Sequence, residues 1–183
     1  MSTCIALLRG INVGGHNRIP MAELRSLCVE LGWEDVRTYI QSGNLVFSAR
    51  RQPVALEAEL QEAIERRFDR SIPVVVRAAA DWRACMNGNP FEAASEKEPH
   101  LVTLVLSKSP PRPGALTELR ERAAGGERIA QSGDALWIHY PVGLARSKLS
   151  PALLDRVIGS PMTARNWRTV RKLDEMADAG SQE

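Results

Sequence analysis

With 183 residues, 44% of them hydrophobic and 25% charged, the chain suits one domain or two small ones sharing a core, and its composition excludes general disorder. A formal charge of +2 is too small to imply a polyanionic partner by itself, so any basic patch must be local. Three widely spaced cysteines with no CxxC pair fit reduced thiols at packing positions better than a disulfide framework.

Residues 4–8 (CIALL) form the continuous apolar run of a central strand. The stretch LRGINVGGHNRIP follows, and then Met21, Leu24, Leu27, Cys28 and Leu31 recur at helical spacing, with Pro20 at the start and Gly32 at the stop. Val36–Ile40 and Leu45–Phe47 are strand candidates joined by the turn signal Gln41-Ser42-Gly43-Asn44. A helix over Val54–Phe68 and a strand over Pro73–Arg77 complete a βαββαβ series, the split βαβ order of ferredoxin-like domains.

A short helix around Asp81–Met86 leads to the polar stretch Ala94–Pro99, read as a boundary. The expected division is residues 1–93, a connection at 94–99, and a second α+β half at 100–183. That half offers a strand over His100–Leu106, a helix over Ala115–Ala124 and a hairpin over Arg128–Tyr140 around Ser132-Gly133-Asp134. Helices around Ser150–Ile158 and Thr163–Ala177 follow, with Thr163 as the N-cap of the second. Gln-Ser-Gly-Asn at 41–44 and Gln-Ser-Gly-Asp at 131–134 hold the same place in the two series, either a structural repeat or a common turn used twice.

The spacing Gly10-x₄-Gly15-His16-Asn17 almost reproduces a P-loop. His16 stands where Lys should meet the phosphates, however, and Asn17 stands where a hydroxyl should reach Mg²⁺. What survives is weaker: N–H groups near Gly14 and Gly15, flanked by Arg9, His16 and Arg18, suit an anion, while a long turn explains the glycines equally well. His16, His100 and His139 are isolated, so no metal site is expected, and nothing in the motifs requires a cofactor. From Arg146 to Lys172 seven basic residues face one acid, Asp155. Arg146, Ser147 and Lys148 form a loop clasp for phosphate or carboxylate. Arg165 and Arg168 are placed on one helical face. No stretch approaches the roughly 18 apolar residues of a membrane span, and no basic segment precedes the first apolar run. A cytoplasmic protein is expected.

ALLRGINVGGHNRIPMAELR (Ala6–Arg25), TYIQSGNLVF (Thr38–Phe47) and TARNWRTVRKL (Thr163–Leu173) resemble a bacterial family of uncharacterised proteins, the domain of unknown function 1697. Members often carry Lys where this chain has His16. The resemblance implies an α+β fold with halves each related to the ferredoxin-like arrangement, and it implies no established reaction.

The functional expectation is a small anionic ligand, a nucleotide or phosphorylated metabolite, bound between the halves. Arg9, Arg18, Arg146, Lys148 and Arg165 supply charge, and Asn12, Asn17, Gln41 and Asn44 supply hydrogen bonds, with Ser42, Ser147 and Arg168 on the same polar segments. No nucleophile stands out, and His16 is the only residue of these loops with a pKa suited to proton transfer. The alternatives are nucleic-acid binding through the basic C-terminal third, with Tyr39 and Phe47 as stacking candidates, or a protein-interaction module.

Overall fold

A computed structural model describes residues 1–179, which divide into two compact units: Met1–Arg83 with the end of the last helix from Leu173, and Ala84–Lys172. In the first, β1 (Ser2–Leu8), α1 (Met21–Glu30), β2 (Glu34–Tyr39), β3 (Asn44–Ala49), α2 (Pro53–Phe68) and β4 (Val74–Ala78) follow the expected βαββαβ order. The sheet runs β2-β3-β1-β4, with every neighbouring pair antiparallel.

Alternation along the strands decides what faces the helices. Cys4, Ala6 and Leu8 of β1, Leu45 and Phe47 of β3, and Val74 and Val76 of β4 pack with Leu24, Cys28, Leu60 and Ile64 of the helices. Phe47 stacks on Trp33 with centroids 4.0 Å apart, so it is a core residue worth roughly 1.5–3 kcal/mol of burial and is no stacking platform. The opposite face, with Ile5, Leu7, Val46 and Val75, is at most 2% exposed.

Local signals account for the ends of the helices. Gly32 adopts φ +80° just past α1, and Pro53 opens α2. Strand β4 is a sheet edge, and α2 covers it with side chains: Glu57 Oε1 accepts the Val76 N–H at 2.9 Å and Gln61 Oε1 the Val74 N–H at 3.1 Å. Cys4 and Cys28 are buried as expected, and burial pushes the Cys28 thiol up to about 12.

After α3 (Ala79–Asn87), the polar stretch read as a connection holds much of a short helix, α4 (Glu92–Lys97). His100 lies in the turn that follows, not in a strand. Then β5 (Val102–Ser107), α5 (Ala115–Arg122), β6 (Arg128–Ser132), β7 (Ala135–His139), α6 (Pro151–Ile158) and β8 (Met162–Asn166) build a second sheet. Its order, β6-β7-β5-β8, repeats the first topology. Val105, Leu136 and Ile138 pack with Leu119 of α5 and Leu154, Val157 and Ile158 of α6.

The end of the chain departs from expectation. Thr163 is not an N-cap but a residue of β8, because the free edge of β5 recruits residues 162–166 in the register Thr103↔Asn166 to Ser107↔Met162. Helix α7 (Trp167–Ala179) starts later, with Asn166 Oδ1 accepting the Thr169 N–H at 3.1 Å.

The repeated Gln-Ser-Gly motif folds in two ways. In the second unit Ser132 pairs with Ala135 around a two-residue turn. In the first, pairing stops at Tyr39↔Asn44 and leaves a four-residue loop over residues 40–43.

Candidate functional site

Beyond β1 the chain forms a small hairpin finger, not a phosphate cradle. Asn12 N–H donates to Asn17 O at 3.2 Å and His16 N–H to Val13 O at 3.0 Å. Gly14 and Gly15, at φ +57° and +81°, occupy the two central positions. Positive φ at both is the two-residue hairpin turn that matches strand twist, and glycine adopts it without steric cost. Residues 16–20 then separate this turn from α1, whose first turn carries Glu23. Neither P-loop geometry nor an anion-favouring helix start is present.

Side chains tie the base of the finger to the 40–43 loop. Asn12 Nδ2 donates to Ile19 O at 3.0 Å and to Gln41 O at 2.8 Å, and Asn12 Oδ1 accepts the Ile19 N–H at 2.9 Å. Asn17 Nδ2 donates to Gly10 O at 3.2 Å. Asn44, fully buried, donates to Tyr39 O at 3.0 Å and to Ser42 Oγ at 2.9 Å. Leu8 N–H reaches Gly43 O at 2.8 Å. Asn12, Asn17, Ser42 and Asn44 of the expected ligand set thus take part in the loop architecture.

Gly43 is required there twice over. Its φ is +75°, and a Cβ would stand 2.7 Å from Leu8 Cβ and 2.8 Å from Ile11 Cδ1. Ile40, three residues earlier, takes φ +50°. For a β-branched residue that is a strained conformation, with a cost of order 1–3 kcal/mol.

Other groups remain available to solvent. Arg18 and the side chains of His16 and Gln41 are exposed, and Arg18 makes no hydrogen bond or ion pair among the described residues. Arg18, Gln41, Gly15, Ile19 and Pro20 line an open depression of ≈ 340 Å³. Arg9 is half-buried beside it in sequence, with its N–H on Pro73 O at 3.0 Å. Pro20 reads as a helix-start residue in the sequence, and nothing there singles out Ile19. Only the folding back of the finger through Asn12 makes them a floor.

In the second unit, Arg146 closes a 3₁₀ turn (Leu144–Arg146) and Lys148 follows it, both exposed. Ser147 between them turns inward: its Oγ donates to Glu127 and accepts the Leu149 N–H at 3.1 Å. Burial pushes the Glu127 carboxyl up, but hydrogen bonds from Ser147, its own N–H and the Gly125 N–H outweigh it and hold the group below its ordinary value. Ser147 is therefore a turn-stabilising residue.

Arg165 and Arg168 do not share a helical face. Arg165 lies on β8, where its guanidinium donates to Thr163 Oγ1 at 2.9 Å and Ala164 O at 2.8 Å, and burial lowers it to about 10. Arg168 is exposed in the first turn of α7. Its neighbour Trp167 meets Trp137 edge-on at 5.6 Å and borders a second recess of ≈ 370 Å³ with Asn89 and Ser95.

The sequence did not single out the cluster at His139. Arg128 reaches His139 Nδ1 at 3.3 Å and lies 5.1 Å from the Phe91 ring centre. Desolvation lowers the His139 pKa, the Arg128 charge lowers it further, and Glu98 opposes them. Its Nε2 is buried without a partner among the described residues. Those residues hold no group of three His, Cys, Asp or Glu placed to bind a metal ion. No helix among them is long and apolar enough to cross a membrane.

Two antiparallel sheets of one topology, with a hydrogen-bonded hairpin finger after the first strand, define an α+β protein built from two ferredoxin-like units. Residues 1–137 match the family described as protein of unknown function DUF1697, and the chain belongs to that family. The solved structure described as "conserved bacterial protein SP0830 from Streptococcus pneumoniae" is similar at 22% identity. The match covers 96% of this chain and 98% of that one, with a TM-score of 0.77, and shows a common fold. No curated protein matches the chain.

Proposed function

We propose that the first unit binds a small anionic ligand, a nucleotide or phosphorylated metabolite, in the depression between the finger and the 40–43 loop. The observation that carries this reading is Arg18, a guanidinium with no intramolecular partner among the described residues, at the edge of a depression bordered by Gly15 and Gln41. A planar guanidinium offers a fork of donors matched to phosphate or carboxylate oxygens. The exposed Gln41 side chain adds hydrogen-bonding groups, and Arg9 and His16 lie on the same loop. The Asn12 clamp holds the two loops in fixed register, so little ordering has to accompany binding.

Calorimetric titration with inorganic phosphate and phosphorylated metabolites, repeated with Arg18→Gln, tests the reading. Loss of a charge-assisted contact of about 1.5–3 kcal/mol corresponds to roughly 10- to 100-fold weaker binding. Equal affinity in the variant and the native chain would remove Arg18, and with it the site.

A nucleic-acid reading draws support from Arg146, Lys148 and Arg168, all exposed in the second unit. An oligonucleotide affinity that falls steeply with salt, and falls again in Arg146→Gln/Lys148→Gln, favours it over the small-ligand reading.

A further inference from the structure

The recess bordered by Trp167 lies wholly within the second unit, and the anion-binding reading makes no use of it. Its volume of ≈ 370 Å³ is within the size range of small-molecule sites. Glu92 and Glu96 of α4, with Asn89 and Ser95, line it with polar groups, and Trp167 and Met86 line it with apolar ones. Glu92 and Glu96 fall at i and i+4 of the helix, and neither carboxylate makes a hydrogen bond or ion pair among the described residues. Like charges at that spacing disfavour a helix, and no Lys, Arg or His lines the recess to offset them.

Ser95 adds an independent signal. The residue is 3% exposed, and its Oγ accepts from Asn89 Nδ2 at 2.8 Å, while its own O–H has no acceptor among the described residues. A buried hydroxyl on the wall of a recess, with its donor unspent, calls for an acceptor. The wall itself is held in place. Asn89 Oδ1 accepts the Phe91 N–H at 2.9 Å, and the Trp167 N–H donates to Pro99 O at 3.1 Å, so both ends of the segment that carries α4 are tied. Little ordering then has to accompany binding.

Two uncompensated carboxylates repel anions and favour a cation. An indole and a thioether on the same wall favour one with apolar surface, because an aromatic ring attracts cations and a thioether adapts to an apolar shape. A bare metal ion matches this lining poorly, since the described residues hold no group of three His, Cys, Asp or Glu placed to bind one.

We infer that this recess binds a small organic ammonium ion that also carries an oxygen, the build of an amino alcohol. Its ammonium group is held by Trp167 and the carboxylates of Glu92 and Glu96, and its oxygen accepts from Ser95. The site is independent of the Arg18 depression, so failure of either leaves the other standing.

Calorimetric titration with choline, ethanolamine and the uncharged analogue of choline, with carbon in place of nitrogen, tests this. It is run on the native chain, Glu92→Gln/Glu96→Gln and Trp167→Leu, with the melting temperature of each measured alongside. At least one ammonium compound should bind the native chain roughly 10-fold or more tightly than the uncharged analogue, and should lose about that factor in each variant. Trp167 also packs on Trp137, so the double variant keeps the test decisive if Trp167→Leu does not fold. The double variant should melt at or above the native temperature, because it removes a like-charge pair. Equal binding of charged and uncharged compounds, or native affinity in the double variant, overturns the proposal. So does native affinity in a folded Trp167→Leu, lowered melting of the double variant, or failure of both ammonium compounds to bind the native chain.

Discussion

Asn12 and Gln41, far apart in sequence, meet where Asn12 Nδ2 donates to Gln41 O at 2.8 Å. The same carboxamide closes a two-way bond with Ile19, accepting its N–H at 2.9 Å and donating to its carbonyl at 3.0 Å. One side chain thus fixes the return of the finger and its attachment to the neighbouring hairpin loop. Asn12→Ala removes three hydrogen bonds at about 0.5–1.5 kcal/mol each, so a loss of roughly 1.5–4.5 kcal/mol is expected in urea unfolding. Amide exchange at Ile19 should accelerate well beyond that at core strand positions. An unchanged exchange rate at Ile19 would show that the finger holds its shape without the clamp.

The two Gln-Ser-Gly motifs provide an internal comparison. At Gly43 a new Cβ meets Leu8 Cβ at 2.7 Å, and that atom is fixed to the backbone of β1. At Gly133, also at positive φ (+56°), a Cβ finds open space. Gly133→Ala should lose only the left-handed penalty of about 1–2 kcal/mol. Gly43→Ala adds overpacking of roughly 1–3 kcal/mol. Chemical denaturation of both variants measures the difference. Equal losses would mean that β1 shifts freely away from the loop.

That contrast also marks how far the sequence could be read. The βαββαβ series of the first unit was legible because Cys4–Leu8, Val54–Phe68 and Pro73–Arg77 carry period and propensity in agreement. The second series hid its last strand. Thr163-Ala164-Arg165 lies next to a good helix, and only pairing with β5 makes it extended. The finger was visible as glycines and asparagines, but not its hydrogen bonds, because turn residues do not name their partners. Asn12 and Asn44 read as ligand donors and prove to be bonded to backbone carbonyls. Ile40 read as the end of a strand, since nothing local announces that a β-branched residue sits at φ +50°.

Glu57 offers a test of how the first sheet ends. The residue is 4% exposed, and Oε1 accepts the Val76 N–H at 2.9 Å and lies 3.5 Å from Arg77 Nη1. Glu57→Leu leaves the buried Val76 N–H without this acceptor, a penalty of about 1–3 kcal/mol, and exposes part of the β4 edge. Glu57→Gln retains an oxygen acceptor and should recover most of the loss. Two variants of equal stability would assign the carboxylate no part in covering the edge.

His139 should make the stability of the protein fall on mild acidification. Desolvation, reinforced by Arg128 and opposed by Glu98, holds its folded pKa below the ordinary value of 6.5. Arg128 donates to Nδ1, so the neutral ring carries its proton on Nε2. As pH drops through 6.5 the unfolded imidazole takes a proton that the folded one still refuses, so the unfolded state gains. The contribution is fully present above pH 6.5 and is lost as pH falls from there toward the depressed folded pKa. Urea midpoints for the native chain and His139→Gln, measured between pH 7.5 and 5.5, isolate the effect. The native midpoint should decline more steeply than that of the variant, and parallel declines would show that His139 titrates alike in both states.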